Sequence, residues 1–137
     1  MSTILALDDD IIFCEFIHDV LVQDGHSVVI AYNGEEGLCE LTRQTFDLVL
    51  TDIDMPIMDG LEFFRRARAM PCALELPFIL LTGRSREQFT VAGSAIEGVP
   101  FLQKPVMPGT ISKTVRATLD DFARAREGLG AHIGGIL

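Results

Sequence analysis

Asp8 and Asp9 close one short apolar run of this chain, Asp52 closes a second, Thr82 a third and Lys104 a fourth. Three carboxylates brought close would repel one another, and one would stay protonated. A bound divalent cation removes that conflict. Mg²⁺ is the natural candidate, because it takes oxygen ligands, keeps several waters and often completes its shell with phosphate. Lys104 supplies a compact point charge suited to a phosphoryl oxygen. The Thr82 hydroxyl supplies a hydrogen-bond donor. One carboxylate can then act as a nucleophile and form an acyl phosphate, while the other groups neutralise charge on the transferring phosphoryl. Singly, each residue has an ordinary explanation: an Asp after a strand caps a helix, as Asp10 is placed to do, a Thr packs, and a Lys before Pro is solvated. The chemistry is carried by the set.

The elements between these residues decide whether they meet. Thr3–Leu7 is the first apolar run, followed by Phe13, Phe16, Ile17, Val20 and Leu21 on one helical face, with Gly25 as the C-cap. Val28–Ala31 is a second strand. Asn33 and Glu36 have capping-box spacing for a helix ending near Gln44. Leu48–Thr51 is a third strand, and Pro56 stops it from continuing. Asp59 and Glu62 open a helix to about Met70. Phe78–Leu81 is a fourth strand, and Ser85 with Gln88 caps a short helix to about Ala95. Val99–Gln103 is a fifth strand, stopped by Pro105. A last helix after Pro108-Gly109 carries the stripe Ile111, Val115, Leu119 and Phe122. Five strands alternating with five helices predict a parallel α/β sheet covered on both faces with right-handed crossovers. In such a sheet the strands' carboxyl ends share one edge, and ligands bind there where the strand order reverses.

The 137 residues fit one domain: residues 1–127 as the folded unit, and the Gly-rich stretch 128–137 as a C-terminal tail or the start of a linker. The net charge of −9 argues against nucleic acid as a direct partner, since phosphate neutralisation needs clustered Lys and Arg. Cys14, Cys39 and Cys72 are odd in number and fit no zinc or redox motif, so they read as thiols of a reducing cytosol. The N-terminus lacks the basic region of a signal peptide. No apolar run approaches the roughly 20 residues of a membrane span. The expected localisation is cytoplasmic, with no membrane partner.

Four segments, ILALDDD at 4–10, DLVLTDIDMPIMDGLE at 47–62, FILLTG at 78–83 and FLQKPV at 101–106, resemble the receiver domain of two-component response regulators, of the single-domain chemotaxis type. The resemblance covers roughly residues 3–125. It implies a flavodoxin-like, doubly wound five-stranded sheet of order 2-1-3-4-5 with five helices. It implies Asp52 as the phosphorylated residue and Asp8 and Asp9 as the acidic pair for Mg²⁺, Asp9 the more direct ligand. The backbone carbonyl of Asp54 would complete the metal site. Thr82 and Lys104 would contact the phosphoryl group, and the Lys104–Pro105 bond would be cis. The phosphodonor would be a phosphohistidine on a sensor histidine kinase or a histidine phosphotransfer protein. Such a chain is no enzyme in the ordinary sense: it performs self-catalysed phosphoryl transfer and slow autodephosphorylation.

Phe101 falls at the family's aromatic switch position, working with Thr82, although its ring lacks a hydroxyl to report its state; small Gly83 beside Thr82 leaves room for motion. Asp54 and Arg84 each lie two residues beyond a pocket residue. They are expected to pair across the pocket mouth as a lid that modulates hydrolysis of the acyl phosphate. The output is expected to be contact with a downstream protein through the predicted fourth helix, fifth strand and fifth helix, a surface that also allows a homodimer. Two other readings differ in class. A receiver-like interaction module would never take a phosphoryl group. A haloacid-dehalogenase-type phosphatase would use Asp52-Ile53-Asp54 as its D-x-D element, but Met55-Pro56 lacks the small residue and Thr that follow it there, and the Asp8–Asp9 pair would have no role. Turnover of a phosphomonoester separates the last from the others.

Overall fold

The computed structural model describes residues 2–84 and 98–136. Five parallel strands, β1 (Thr3–Leu7), β2 (Ser27–Ala31), β3 (Leu48–Asp52), β4 (Phe78–Thr82) and β5 (Phe101–Gln103), form one sheet of order β2-β1-β3-β4-β5. The expected α/β fold and strand order are therefore observed. The helices are α1 (Ile11–Gln23), α2 (Gly34–Arg43), α3 (Gly60–Arg68) and α4 (Pro108–Ile136), with a 3₁₀ turn at Pro71–Ala73. The helix expected from Ser85 to about Ala95 lies outside the described residues.

Strand alternation builds two cores. Ile4, Ala6, Leu48, Leu50, Ile79 and Leu81 face α1 and α4, packing with Ile17, Leu21, Ile111 and Val115. Leu5, Leu7, Val49 and Phe78 point the other way, against Leu41 of α2 and Phe63, Phe64 and Ala67 of α3. Both faces of β1, β3 and β4 are thus buried, which is why these strands read as continuous apolar runs. Gly37 lies where α2 meets β1 and α3; a Cβ there would overlap Leu7 and the Phe63 ring.

The caps follow the sequence. Asp10 Oδ1 accepts from the Ile12 and Phe13 N–H groups, Asn33 Oδ1 from Glu36 N–H and Asp59 Oδ1 from Glu62 N–H. Glu36 Oε1 accepts from the Tyr32 N–H, one residue before the Asn33 N-cap. Gly25 follows the C-cap Asp24 of α1 with φ +95° and donates its N–H to the Val22 carbonyl.

Several bounds differ from expectation. β5 begins at Phe101 rather than Val99, because Pro100 has no N–H to give a ladder; its carbonyl still accepts from Leu80 N–H at 2.9 Å. β3 and β4 each run one residue further, so Asp52 and Thr82 are the last strand residues. The backbone of α4 runs through the Gly-rich stretch to Ile136; glycine lowers helix propensity without forbidding the conformation.

Candidate functional site

Asp8, Asp9, Asp52, Thr82 and Lys104 gather at the carboxyl edge of the sheet, where β1 and β3 sit side by side. Asp52, Asp8 and Thr82 are buried, Thr82 completely and Asp52 to 5% exposure, while Asp9 is exposed. One carboxylate oxygen from each of Asp8, Asp9 and Asp52 lies within 4.8 Å of the others. Lys104 reaches in from beyond β5: its Nζ is 2.6 Å from Asp8 Oδ2 and 3.6 Å from Asp52 Oδ2. The base of that side chain is held by Lys104 N–H, which donates to the Thr82 carbonyl at 2.7 Å. The Lys104–Pro105 bond is cis.

The electrostatics match a site built for a cation. Burial pushes Asp52 up to about 6, and the charge of Asp8 adds to this against the opposing pull of Lys104 and the N–H groups of Ile53 and Asp54. Burial also raises Asp8, outweighing its hydrogen bonds from Lys104 and from the Asp10 N–H. For Lys104, burial pulls its pKa down, but the Asp8 hydrogen bond and the charges of Asp52 and Asp8 more than offset it, leaving the ammonium above its ordinary value. One lysine does not satisfy three carboxylates. The donor set is all oxygen, with an exposed member toward solvent, and fits a hard divalent cation such as Mg²⁺.

The other expected site residues are placed as follows. The Asp54 carboxylate is not among the three clustered carboxylates. Arg84 grips it with two donors, Nη2 to Oδ1 at 2.6 Å and Nε to Oδ2 at 3.2 Å. Asp54 and Arg84 are thus paired. The Thr82 hydroxyl donates to the same Oδ2 at 3.3 Å and accepts from the Arg84 N–H at 3.0 Å. Phe101 is half-buried in a small cluster with Ile53, Leu61, Leu80 and Val99.

Two contributors escaped the sequence reading. Gly60, at the start of α3, packs so tightly on the end of β3 that a Cβ would overlap the Asp52 carbonyl oxygen; its N–H donates to the Ile53 carbonyl at 2.7 Å. Its signal was the Asp-Gly pair of the quoted 47–62 segment. Phe13 brings its ring centroid to 4.2 Å from Lys104 Nζ. No sequence signal separated it from the other apolar residues of α1.

Comparison with known proteins places the chain in a family. The receiver-domain model of response regulators matches residues 4–116. The chain is 34% identical over 119 residues to the transcriptional regulatory protein AfsQ1 of Streptomyces coelicolor, covering 87% of this chain and 52% of that protein. It is 28% identical over 137 residues to the transcriptional regulatory protein ZraR of Salmonella typhimurium, covering 31% of it. The chain thus spans about half or less of the length of these curated relatives. Among solved structures, the chemotaxis protein CheY4 of Vibrio cholerae superposes with a TM-score of 0.81 at 30% identity, over 86% of this chain and 98% of that one. The receiver domain of sensor histidine kinase PA1611 from Pseudomonas aeruginosa shares the fold, with a TM-score of 0.78 at 22% identity over 87% of this chain and 98% of that one. With its strand order, its acidic edge and this match over most of its length, the chain belongs to the response regulator receiver domain family of two-component systems.

Proposed function

We propose that this chain is a phospho-acceptor that takes a phosphoryl group from a phosphohistidine onto Asp52 with Mg²⁺ bound, and so switches a protein-contact surface. The observation that carries the reading is the Asp52 carboxylate, buried at the end of a central strand with Asp8, Asp9 and Lys104 converging on it. Asp8, Asp9 and Asp52 would hold the ion, with the backbone carbonyl of Asp54 completing the set. When bound, it supplies positive charge that lets the carboxylates ionise together and offsets charge on the phosphoryl oxygens. The PA1611 receiver domain, which shares this fold, has a magnesium ion coordinated in its active-site cleft.

In the transfer, an Asp52 carboxylate oxygen forms a bond to phosphorus as the phosphorus–nitrogen bond of the donor breaks. The electron pair leaves on the imidazole nitrogen, which takes up a proton. Lys104 neutralises a phosphoryl oxygen, and the Thr82 hydroxyl donates to another once it leaves Asp54. The Asp54–Arg84 pair lies over the mouth and hinders the water that would hydrolyse the acyl phosphate. Thr82 and Phe101 carry the change toward β5 and α4, where a downstream protein would bind. This reading fits a cytoplasmic protein; among the described residues no helix is long and apolar enough to cross a membrane.

Intact mass after incubation with acetyl phosphate tests this, with and without Mg²⁺, on wild type and Asp52→Asn. A Mg²⁺-dependent gain of one phosphoryl group that the variant loses is the expected result. An equal gain in the variant would reassign the acceptor. No gain, even from a phosphorylated histidine phosphotransfer protein, would leave an interaction module.

A further inference from the structure

We propose that Phe13 is a positioning residue for phosphoryl transfer, its ring face acting as a shelf that holds the Lys104 ammonium over the pocket. This rests on the phospho-acceptor reading above. Lysine has a long, flexible stem, and a cation that must meet a phosphoryl oxygen gains from being confined beforehand. Here three features confine it. The Lys104 N–H is fixed to the Thr82 carbonyl at the root of the side chain. At the tip, Nζ is drawn to Asp8 Oδ2 at 2.6 Å and Asp52 Oδ2 at 3.6 Å. The Phe13 ring covers the ammonium with its centroid at 4.2 Å, well inside the range of attraction between a cation and an aromatic face.

The ring is itself held in place. Asp10 N–H donates to Asp8 Oδ1 at 2.9 Å, and Asp10 Oδ1 in turn accepts from Phe13 N–H at 3.2 Å. The acid pocket, the first turn of α1 and the ring are therefore one connected unit. Phe16 packs against the ring at 5.7 Å between centroids.

An aromatic face suits this task better than a further carboxylate. Asp8 and Asp52 attract Lys104 before transfer, but their charge also repels an incoming phosphoryl group. The ring carries no net charge, and it claims none of the three N–H donors as a strong acceptor would. Its attraction persists while Lys104 shifts its hydrogen bonds from carboxylate to phosphoryl oxygen. The ordinary role of an apolar α1 residue, packing on the core beneath, makes a different prediction: only ring size should matter.

The experiment compares the full chain carrying Phe13, Phe13→Tyr, Phe13→Leu and 3,4,5-trifluorophenylalanine at position 13. The readout is the initial rate of Asp52 phosphorylation by acetyl phosphate at saturating Mg²⁺. The fluorinated ring keeps nearly the same shape but loses its negative face, so it remains informative even where the Leu variant fails to fold. Phe13→Tyr is expected within about twofold of wild type, and the fluorinated and Leu variants slower by roughly three- to tenfold, the scale of one cation–ring attraction. A fluorinated chain as fast as wild type overturns the shelf and leaves packing as the role of Phe13. A wild-type chain that gains no phosphoryl group, from acetyl phosphate or from a phosphorylated histidine phosphotransfer protein, overturns the phospho-acceptor reading itself, together with this role, and is seen before any variant is compared.

Discussion

The Thr82 hydroxyl and the Asp54 carboxylate are joined by a 3.3 Å hydrogen bond, and Arg84 grips that same carboxylate with two donors. The hydroxyl that the proposed transfer brings to the phosphoryl group is therefore engaged elsewhere in this conformation. To reach a phosphoryl group on Asp52 it would have to give up Asp54, so in the proposed reaction the carboxylate competes with the phosphoryl group for one donor.

Asp54→Ala and Arg84→Ala are both expected to hasten loss of the phosphoryl group, by roughly three- to tenfold, because either opens the mouth to water. As an exposed ion pair the contact adds only about 0–1 kcal/mol to stability, so melting should barely change. The double variant should be no faster than the faster single one, since the two residues act as a unit. Decay of the phosphorylated mass over time checks this; unchanged lifetimes in both single variants would sink the lid.

Asp52→Asn should stabilise the metal-free protein at neutral pH. Folding raises Asp52 from its ordinary 3.8 to about 6. The folded state therefore binds the proton more tightly, and stability falls as pH rises through that window. The neutral amide escapes the penalty, and the gain should be about 1–3 kcal/mol at pH 7.5. The advantage should vanish near pH 3.5, and Mg²⁺ should narrow it by binding the wild type. Thermal melts at both pH values, with Mg²⁺ or with chelator, give the comparison. A less stable Asn variant in chelator at pH 7.5 would contradict the electrostatic account.

Gly60→Ala should cost about 1–3 kcal/mol, the usual penalty for forcing a methyl group into a packed interior. Its Cβ would meet the Asp52 carbonyl oxygen and the Ile53 Cα, both backbone atoms that cannot swing aside. The variant should also phosphorylate more slowly, because relief of the overlap moves the acceptor strand. A lower urea midpoint at unchanged m value would register the first effect.

Ile57→Gly should gain about 1 kcal/mol. Ile57 has φ +73°, a region that costs a β-branched residue dearly, and its side chain is 74% exposed and buries little. The Met58 N–H closes a tight three-residue turn onto the Pro56 carbonyl at 2.7 Å, which forces this conformation. A rise in Tm of a few degrees is expected; a fall would mean that the exposed Ile makes contacts that offset its strain.

Much of this was legible in the residues because parallel topology is restrictive. Once five apolar runs alternate with helices, Asp8, Asp52, Thr82 and Lys104 must share an edge. The Asp54–Arg84 contact was legible for the same reason: each lies two residues past the end of neighbouring strands, and Asp52 is in register with Leu81. What escaped depends on three-dimensional approach. Phe13 looks like any apolar α1 position until Lys104, 91 positions later in the sequence, arrives over its ring. The closeness of Gly60 to Asp52 depends on the angle at which α3 leaves its loop. The late start of β5 depends on which carbonyls and N–H groups are in reach, and the length of α4 on a helix outrunning its glycines.

Phe101 lies in a cluster whose buried members among the described residues are Ile53 and Leu80, on a three-residue strand at the edge of the sheet. The neighbouring Leu102 is anchored in the core shared with α1 and α4, so a turn of the Phe101 ring is a more local event than a shift of the whole strand, and local events cost less than global unfolding. The acid pocket at the ends of β1 and β3 can then stay fixed while the Phe101 ring moves, so that the proposed switch would draw on regions of unequal stability within one small fold.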